Sequence, residues 1–128
     1  MKTIRLITAA DISAVMQIQA TAYPIAYQES AEVFLARVQA APLSCWILEQ
    51  DNLASAYLFS YLSKKGRITS LNTSFTITED ADCLYLHDLA VSPQLRGQGA
   101  GDALIANAFN YVYDKKLAWS ALVSVQQS

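Results

Sequence analysis

The sequence predicts a mixed α/β domain of the layered α+β kind, and three observations carry that expectation. Strand-like runs and helix-like stripes succeed one another in the order β-α-α-β-β-β-α-β along 128 residues. Hydrophobic residues make up 53% of the chain and charged residues 16%, which supplies a buried core and argues against disorder. The length is that of one ordinary domain and no repeat, low-complexity stretch or linker divides it, so residues 1–128 are read as a single domain.

The elements follow in order. "TIRLIT" (3–8) alternates apolar and polar residues as a short strand does. In "AADISAVMQIQATAY" the side chains of Ile12, Val15, Met16, Ile18 and Gln19 recur at helical spacing behind Asp11, a candidate N-cap. Tyr23-Pro24 stops that helix, because proline disfavours the helical conformation in the residue before it. A second helix is read in "ESAEVFLARVQAAP", with Ser30 as cap and Pro42 as its end. "SCWILEQ" (44–50) and "NLASAYLFSYLS" (52–63) read as an antiparallel hairpin turning at Asp51-Asn52.

Residues 64–82 are polar and read as a long connection, in which Lys64, Lys65 and Arg67 surround Gly66 as a solvated turn. "CLYLHDLAV" (83–91) is the strongest strand. "GDALIANAFNYVYDKK" is the strongest helix, with Leu104, Ile105, Ala108, Phe109 and Val112 on one stripe. Lys115 and Lys116 fall at its negative end, where cations are favourable. "LAWSALVSV" (117–125) is a last strand.

Charge and cysteine usage narrow the function. A net charge of −2 and a pI near 5.2 provide no global basic field for nucleic acid or acidic membranes. No run reaches the roughly 18 apolar residues of a membrane span, and the N-terminus shows no apolar run of signal-peptide length. The expectation is a cytoplasmic protein with reduced thiols. Cys45 and Cys83 form no CxxC pair, and His87 is the one histidine, so a four-ligand Cys/His zinc site is not expected, nor any other metal. Both thiols sit beside apolar residues and read as buried and inert. On a strand, Cys83 and His87 share a face but lie about 13 Å apart, too far for a thiol–base pair.

The chemistry gathers in "LYLHDLAVSPQLRGQGAGDALIANAF" (84–109). Strand, glycine-rich turn and helix make an anion site, because the first N–H groups of the helix lack intrahelical partners and the helix dipole adds to their pull. Glycines let the backbone take positive φ and approach a ligand closely; the plainer reading is a turn that needs them for its own geometry. A P-loop requires GxxxxGK[ST], yet Gly101 is followed by Asp102-Ala103. GxGxxG also fails: starting at Gly97 its last glycine would be Asp102, and starting at Gly99 it would be Leu104.

What fits is RxxGxG, written Arg96-Gly97-Gln98-Gly99-Ala100-Gly101, behind "LAVSP" and in front of a helix. This segment resembles the acetyl-coenzyme A binding motif of the GNAT superfamily of N-acetyltransferases, and the element order upstream resembles that fold too. The resemblance implies a mixed, mostly antiparallel sheet flanked by helices. It implies acetyl-CoA as the acetyl donor, its pyrophosphate over the amides from Arg96 to Gly101. It also implies pantetheine along the main chain of Leu89, Ala90 and Val91, and a last strand splayed away to leave a cleft. The activity implied is transfer of acetyl to a primary amine, on a small molecule or a peptide, by direct attack.

Such attack needs an unprotonated amine and a group that takes its proton. Histidine has a suitable pKa, and the resemblance matches Tyr85 and His87 to catalytic positions on this strand. The alternative for His87 is a packed strand histidine, and the two readings stand level. Strict alternation puts His87 on the same face as Leu89 and Asp88 on the other, as a structural residue. The resemblance also implies acceptor selection by residues 21–30 and by residues 64–82. Tyr23, Tyr27 and Glu29 are the candidates for a cationic amine pocket, with core packing or exposure an equal reading. GNAT chains continue past the last strand with a helix and hairpin, whereas this sequence stops at Ser128, so the fold is expected to be C-terminally incomplete. Two expectations follow: a homodimer through residues 117–128, and a CoA-binding or regulatory module without turnover as the alternative function.

Overall fold

A computed structural model describes residues 1–63 and 81–117 and the backbone of residues 119–122. The sequence expectations for 64–80, including the basic turn and most of the long connection, lie outside the described residues. So do those for the side chains of residues 118–128, where the dimer surface was expected.

Among the described residues five strands form one sheet, in the order β1 (Lys2–Leu6), β2 (Cys45–Gln50), β3 (Leu53–Ser63), β4 (Cys83–Val91) and β5 (Trp119–Leu122). The first four are antiparallel neighbours, and β5 runs parallel to β4, pairing Cys83 with Trp119 through Leu86 with Leu122. Helices α1 (Ile12–Ala22) and α2 (Ala31–Ala40) cover one face, and α3 (Ala100–Asp114) covers the other. This is the mostly antiparallel, helix-flanked sheet expected from the sequence.

Local chemistry explains most boundaries. Asp51 and Asn52 take φ of 52° and 69°, the left-handed pair that a two-residue hairpin needs, so β2 turns directly into β3. The Ser30 hydroxyl accepts from the Val33 N–H at 3.2 Å and caps α2. Asp11 does different work from the cap expected of it. Its carboxylate accepts from the Thr8 N–H at 2.8 Å, closing a capping box on the short 3-10 turn Ala9–Asp11. It also accepts from the Arg5 guanidinium, which holds its pKa down to about 2.

The two faces of the sheet carry two different cores. Beneath α1 and α2 lie Val15, Ile18, Phe34 and Val38 with Ile47, Tyr57, Phe59, Tyr61, Tyr85 and Ala90. Phe34, Tyr57 and Phe59 form an aromatic triangle with centroids 4.9–5.9 Å apart. Beneath α3 the filling is mostly aliphatic, Leu48, Leu58, Leu84 and Leu86 against Ala100, Leu104 and Ala108, with Trp46 meeting Tyr111 edge-on at 5.6 Å. The α3 stripe is narrower than the sequence spacing predicts, because Phe109 is half exposed and leaves the small Ala108 to face the sheet.

One irregularity in β4 matters for everything below. Phe59 pairs with Asp88 and Ser60 with Leu86, so the register steps over His87 as one extra residue. A β-bulge of this kind breaks the alternation of side chains. His87 and Asp88 consequently point to the same side, toward α1 and α2, whereas Leu89 joins the α3 side. The sequence expectation, which put Asp88 opposite His87 and Leu89 beside it, is corrected on both counts.

Candidate active site

The glycine loop opens a cleft of about 470 Å³ lined by Leu89, Val91, Leu95, Arg96, Gly97, Gly99, Ala100, Gly101 and Asp102. After β4, Pro93–Leu95 makes one 3-10 turn, and the chain enters α3 through Gly97 at φ 78° and Gly99 at φ 81°. Both φ values lie in the left-handed region that side-chain-bearing residues avoid. An added Cβ at either glycine would meet nothing within 4 Å, so backbone conformation rather than crowding demands glycine there. Gly101 differs. It is helical, and a Cβ on it would rest 3.6 Å from Leu89 Cδ2 and 3.8 Å from Val91 Cγ2, an ordinary contact.

Gly99 is the N-cap of α3, and its carbonyl accepts from the Ala103 N–H at 2.9 Å. The N–H groups of Ala100, Gly101 and Asp102 precede the first intrahelical bond and carry the positive end of a 15-residue helix. Lys2 Nζ donates to the Gln98 carbonyl at 2.7 Å and brings a second cation, besides Arg96, to the loop. Sequence reasoning missed Lys2, because the contact joins positions 96 residues apart.

On the opposite face a dense polar cluster sits in the aromatic core. His87 is 4% exposed and meets the edge of Tyr61 at 6.3 Å, while Tyr85 stacks on the same ring at 5.7 Å. Burial, and then the nearby Arg37 guanidinium, push the His87 pKa down to about 4 against a weaker opposing pull from Glu29. Asp88 is 3% exposed. Its Oδ2 accepts from the Tyr57 hydroxyl at 3.2 Å, and its Oδ1 lies 3.0 Å from the Tyr23 hydroxyl. Burial and then the Glu29 carboxylate raise the Asp88 pKa to about 7, and the tyrosines and Arg37 pull the other way. The two neighbours are displaced in opposite directions by one cause, the cost of a charge removed from water.

Of the three acceptor candidates the structure buries two. Tyr23 reaches across to β4, its hydroxyl 2.5 Å from the Leu89 carbonyl. Glu29 accepts from Arg37 Nη1 at 2.6 Å in a fully buried ion pair, and Gln19 holds its backbone from both sides. Tyr27 is 45% exposed on the 3-10 turn Ile25–Tyr27, beside the 86% exposed Ile25. Cys45 and Cys83 are buried, and burial raises both thiols, Cys45 to about 12. Among the described residues no group of three His, Cys, Asp or Glu side chains could hold a metal ion, and no helix is long and apolar enough to cross a membrane.

The fold is shared with solved structures of one class. The loading GNATL domain of CurA from Lyngbya majuscula is similar with a TM-score of 0.84 at 17% identity, over 99% of this chain and 66% of that one. The ribosomal-protein-S18-alanine N-acetyltransferase from Escherichia coli gives 0.71 at 20% identity, over 100% and 70%. The GphF GNAT-like decarboxylase, solved with isobutyryl-CoA, gives 0.72 at 20% identity, over 84% and 57%. The chain thus spans between 57% and 66% of the length of two of these neighbours. A search of curated proteins finds no sequence match. The profile of the Acetyltransferase (GNAT) family matches residues 12–126, and the chain belongs to that family.

Proposed function

We propose that this chain is an acetyl-CoA-dependent N-acetyltransferase that moves acetyl to a primary amine, with residues 1–128 acting as one domain. The observation that carries the reading is the pair of left-handed glycines, open to a cleft, at the positive end of α3 and beside Leu89 and Val91 of β4. The amides from Arg96 to Gly101 would receive the pyrophosphate, with Arg96 and Lys2 adding charge. The pantetheine arm would lie along the main chain of Leu89–Val91.

In the proposed reaction the amine nitrogen attacks the thioester carbonyl carbon, the carbon–sulfur bond breaks, and the nitrogen sheds a proton. His87 takes it. A histidine held neutral by burial is already in its basic form at pH 7. A base this weak does not deprotonate an alkylammonium beforehand; it serves once the new bond has made the nitrogen strongly acidic. Tyr85 shares the face and packs, with His87, against Tyr61, which fixes the strand side chains around the base. Tyr27 would contribute to the acceptor wall directly, while Tyr23 and Glu29, both buried, would support it from beneath, Glu29 through its ion pair with Arg37.

Release of CoA, followed over a panel of amines with acetyl-CoA and isobutyryl-CoA as donors, tests the reading. Acetyl transfer should fall about a hundredfold in His87→Ala with CoA affinity unchanged. An equal rate in the variant would return His87 to packing. CoA binding without turnover on any amine would favour a binding module.

A further inference from the structure

The contacts of Tyr23 hold one more acceptor than its proton can serve. A phenol carries a single proton, and the Leu89 carbonyl, at 2.5 Å, can only accept it. The second contact, 3.0 Å to Asp88 Oδ1, is then at most the longer branch of a shared proton unless the carboxyl supplies one of its own. With Asp88 in its acid form the set closes. Tyr57 donates to Oδ2, the Oδ1 hydroxyl donates to Tyr23, and Tyr23 donates to Leu89, each group using one proton once. With Asp88 ionised the set must rearrange, because a carboxylate only accepts and attracts the Tyr23 proton more strongly than a neutral carbonyl does.

We propose that Tyr23 and Asp88 are positioning residues that control the Leu89 carbonyl, covering it when Asp88 is the acid and releasing it to accept an N–H from a ligand's amide when Asp88 is the carboxylate. The proposal rests on the reading of the cleft as a CoA site. It specifies that the pantetheine arm, which carries secondary amides, is the part of the ligand that senses Asp88. The proton lost on ionisation goes to solvent.

Leu89 is suited to this. It belongs to the lining of the cleft, and its carbonyl is taken by Tyr23, the residue that caps the C-terminus of α1. The charged and titratable groups facing Asp88 come from every element around it: Tyr23 at the end of α1, Glu29 before α2, Arg37 on α2, Tyr57 on β3 and His87 on β4. Burial and Glu29 favour the acid, while Arg37 and the tyrosines favour the carboxylate. The balance falls near neutral pH, so both states are populated under ordinary conditions.

The test compares CoA with the β-methyl ester of 3′-phospho-ADP, which carries the same esterified phosphates without the pantetheine arm, by calorimetric titration of the full chain. The ratio of their association constants removes the titration of the phosphates themselves. Between about pH 6 and about pH 8 that ratio should rise roughly fivefold, the scale of one hydrogen bond. Tyr23→Phe leaves the carbonyl open at every pH, so its ratio should be flat at the high value. Asp88→Asn can still donate to Tyr23, so its ratio should be flat at the low value. A wild-type ratio that does not change with pH, with both ligands bound, overturns the proposal alone, as does a pH step that survives in Tyr23→Phe. Failure of both ligands to bind overturns the reading of the cleft, and the proposal falls with it.

Discussion

The loop from Arg96 to Gly101 and the cluster around Asp88 are neighbours in the chain, yet they are built on opposite terms. The loop presents bare backbone to open space, and its two left-handed glycines leave nothing within 4 Å of where a side chain would start. The cluster places Glu29, Arg37, His87 and Asp88 among aromatic rings with almost no solvent. One region is ready for a charge to arrive from outside. The other has muted its charges, by pairing Glu29 with Arg37, by holding His87 neutral near pH 7 and by raising the Asp88 pKa to about 7. Changes to the cluster should therefore appear first as lost stability, and changes to the loop first as lost binding.

The largest expected effect tests the buried side. Arg37→Met leaves the Glu29 carboxylate in the core without its partner, and urea unfolding should show a loss of about 3–5 kcal/mol. Adding Glu29→Met should restore most of it, because two apolar side chains replace a pair whose desolvation was costly. A double variant as unstable as the single one would mean that shape, not charge, is what Arg37 supplies.

On the open side, Gly99→Val forces a branched residue to φ 81°, at a cost of about 1–3 kcal/mol. It also projects two methyl groups into the cleft. The wild type should gain about 2.7 kcal/mol at CoA concentrations 100 times Kd, and the folded variant should gain none. Equal stabilisation of both proteins by CoA, measured as a thermal shift, would move the phosphate site elsewhere.

Acid titration separates the two neighbours in β4. The folded His87 pKa lies below its usual value, so its contribution to stability is present above about pH 6.5 and is lost as pH falls toward about 4. The folded Asp88 pKa lies above its usual value, so its contribution is present below about pH 3.8 and is lost as pH rises toward about 7. Between these limits the two slopes oppose each other, and the wild-type Tm should vary little on their account. Asp88→Asn removes one slope. Its stability should rise with pH from about 4 to about 6.5, by up to about 1.4 kcal/mol per pH unit. A variant whose Tm tracks that of the wild type across this range would contradict the assignment. The smallest effect expected is from Gly101→Ala, which should add up to about 1 kcal/mol because only helix propensity changes. Its contrast with Gly99→Val separates the glycines that φ requires from the one it does not.

Much of this was legible in the sequence wherever the cause is local. The Asp51-Asn52 turn, the Ser30 cap, the stop at Tyr23-Pro24 and the glycine entry to α3 each follow from residues within a few positions of one another. What escaped was set at a distance. The facing of Asp88 depends on how β4 pairs with β3, and strict alternation cannot show a bulge. Arg37 lies inside the stretch read simply as the second helix; its ion pair with Glu29 emerges only when the α1–α2 connection folds under that helix. Phe109 fits the apolar spacing of α3 and is nonetheless half exposed, because the sheet already fills that side with leucines.

The bulge has a consequence for how this strand tolerates change in length. Removing a residue from a regular strand inverts the facing of everything beyond the cut. In β4, removing His87 would do the reverse, since Leu86 and Asp88 already face opposite ways and would simply become consecutive. Tyr85 or Leu86 could not be dropped on those terms. The strand therefore contains one position that sheet pairing does not require, and a histidine occupies it. A chain lacking that residue should keep its sheet and lose only what the imidazole does.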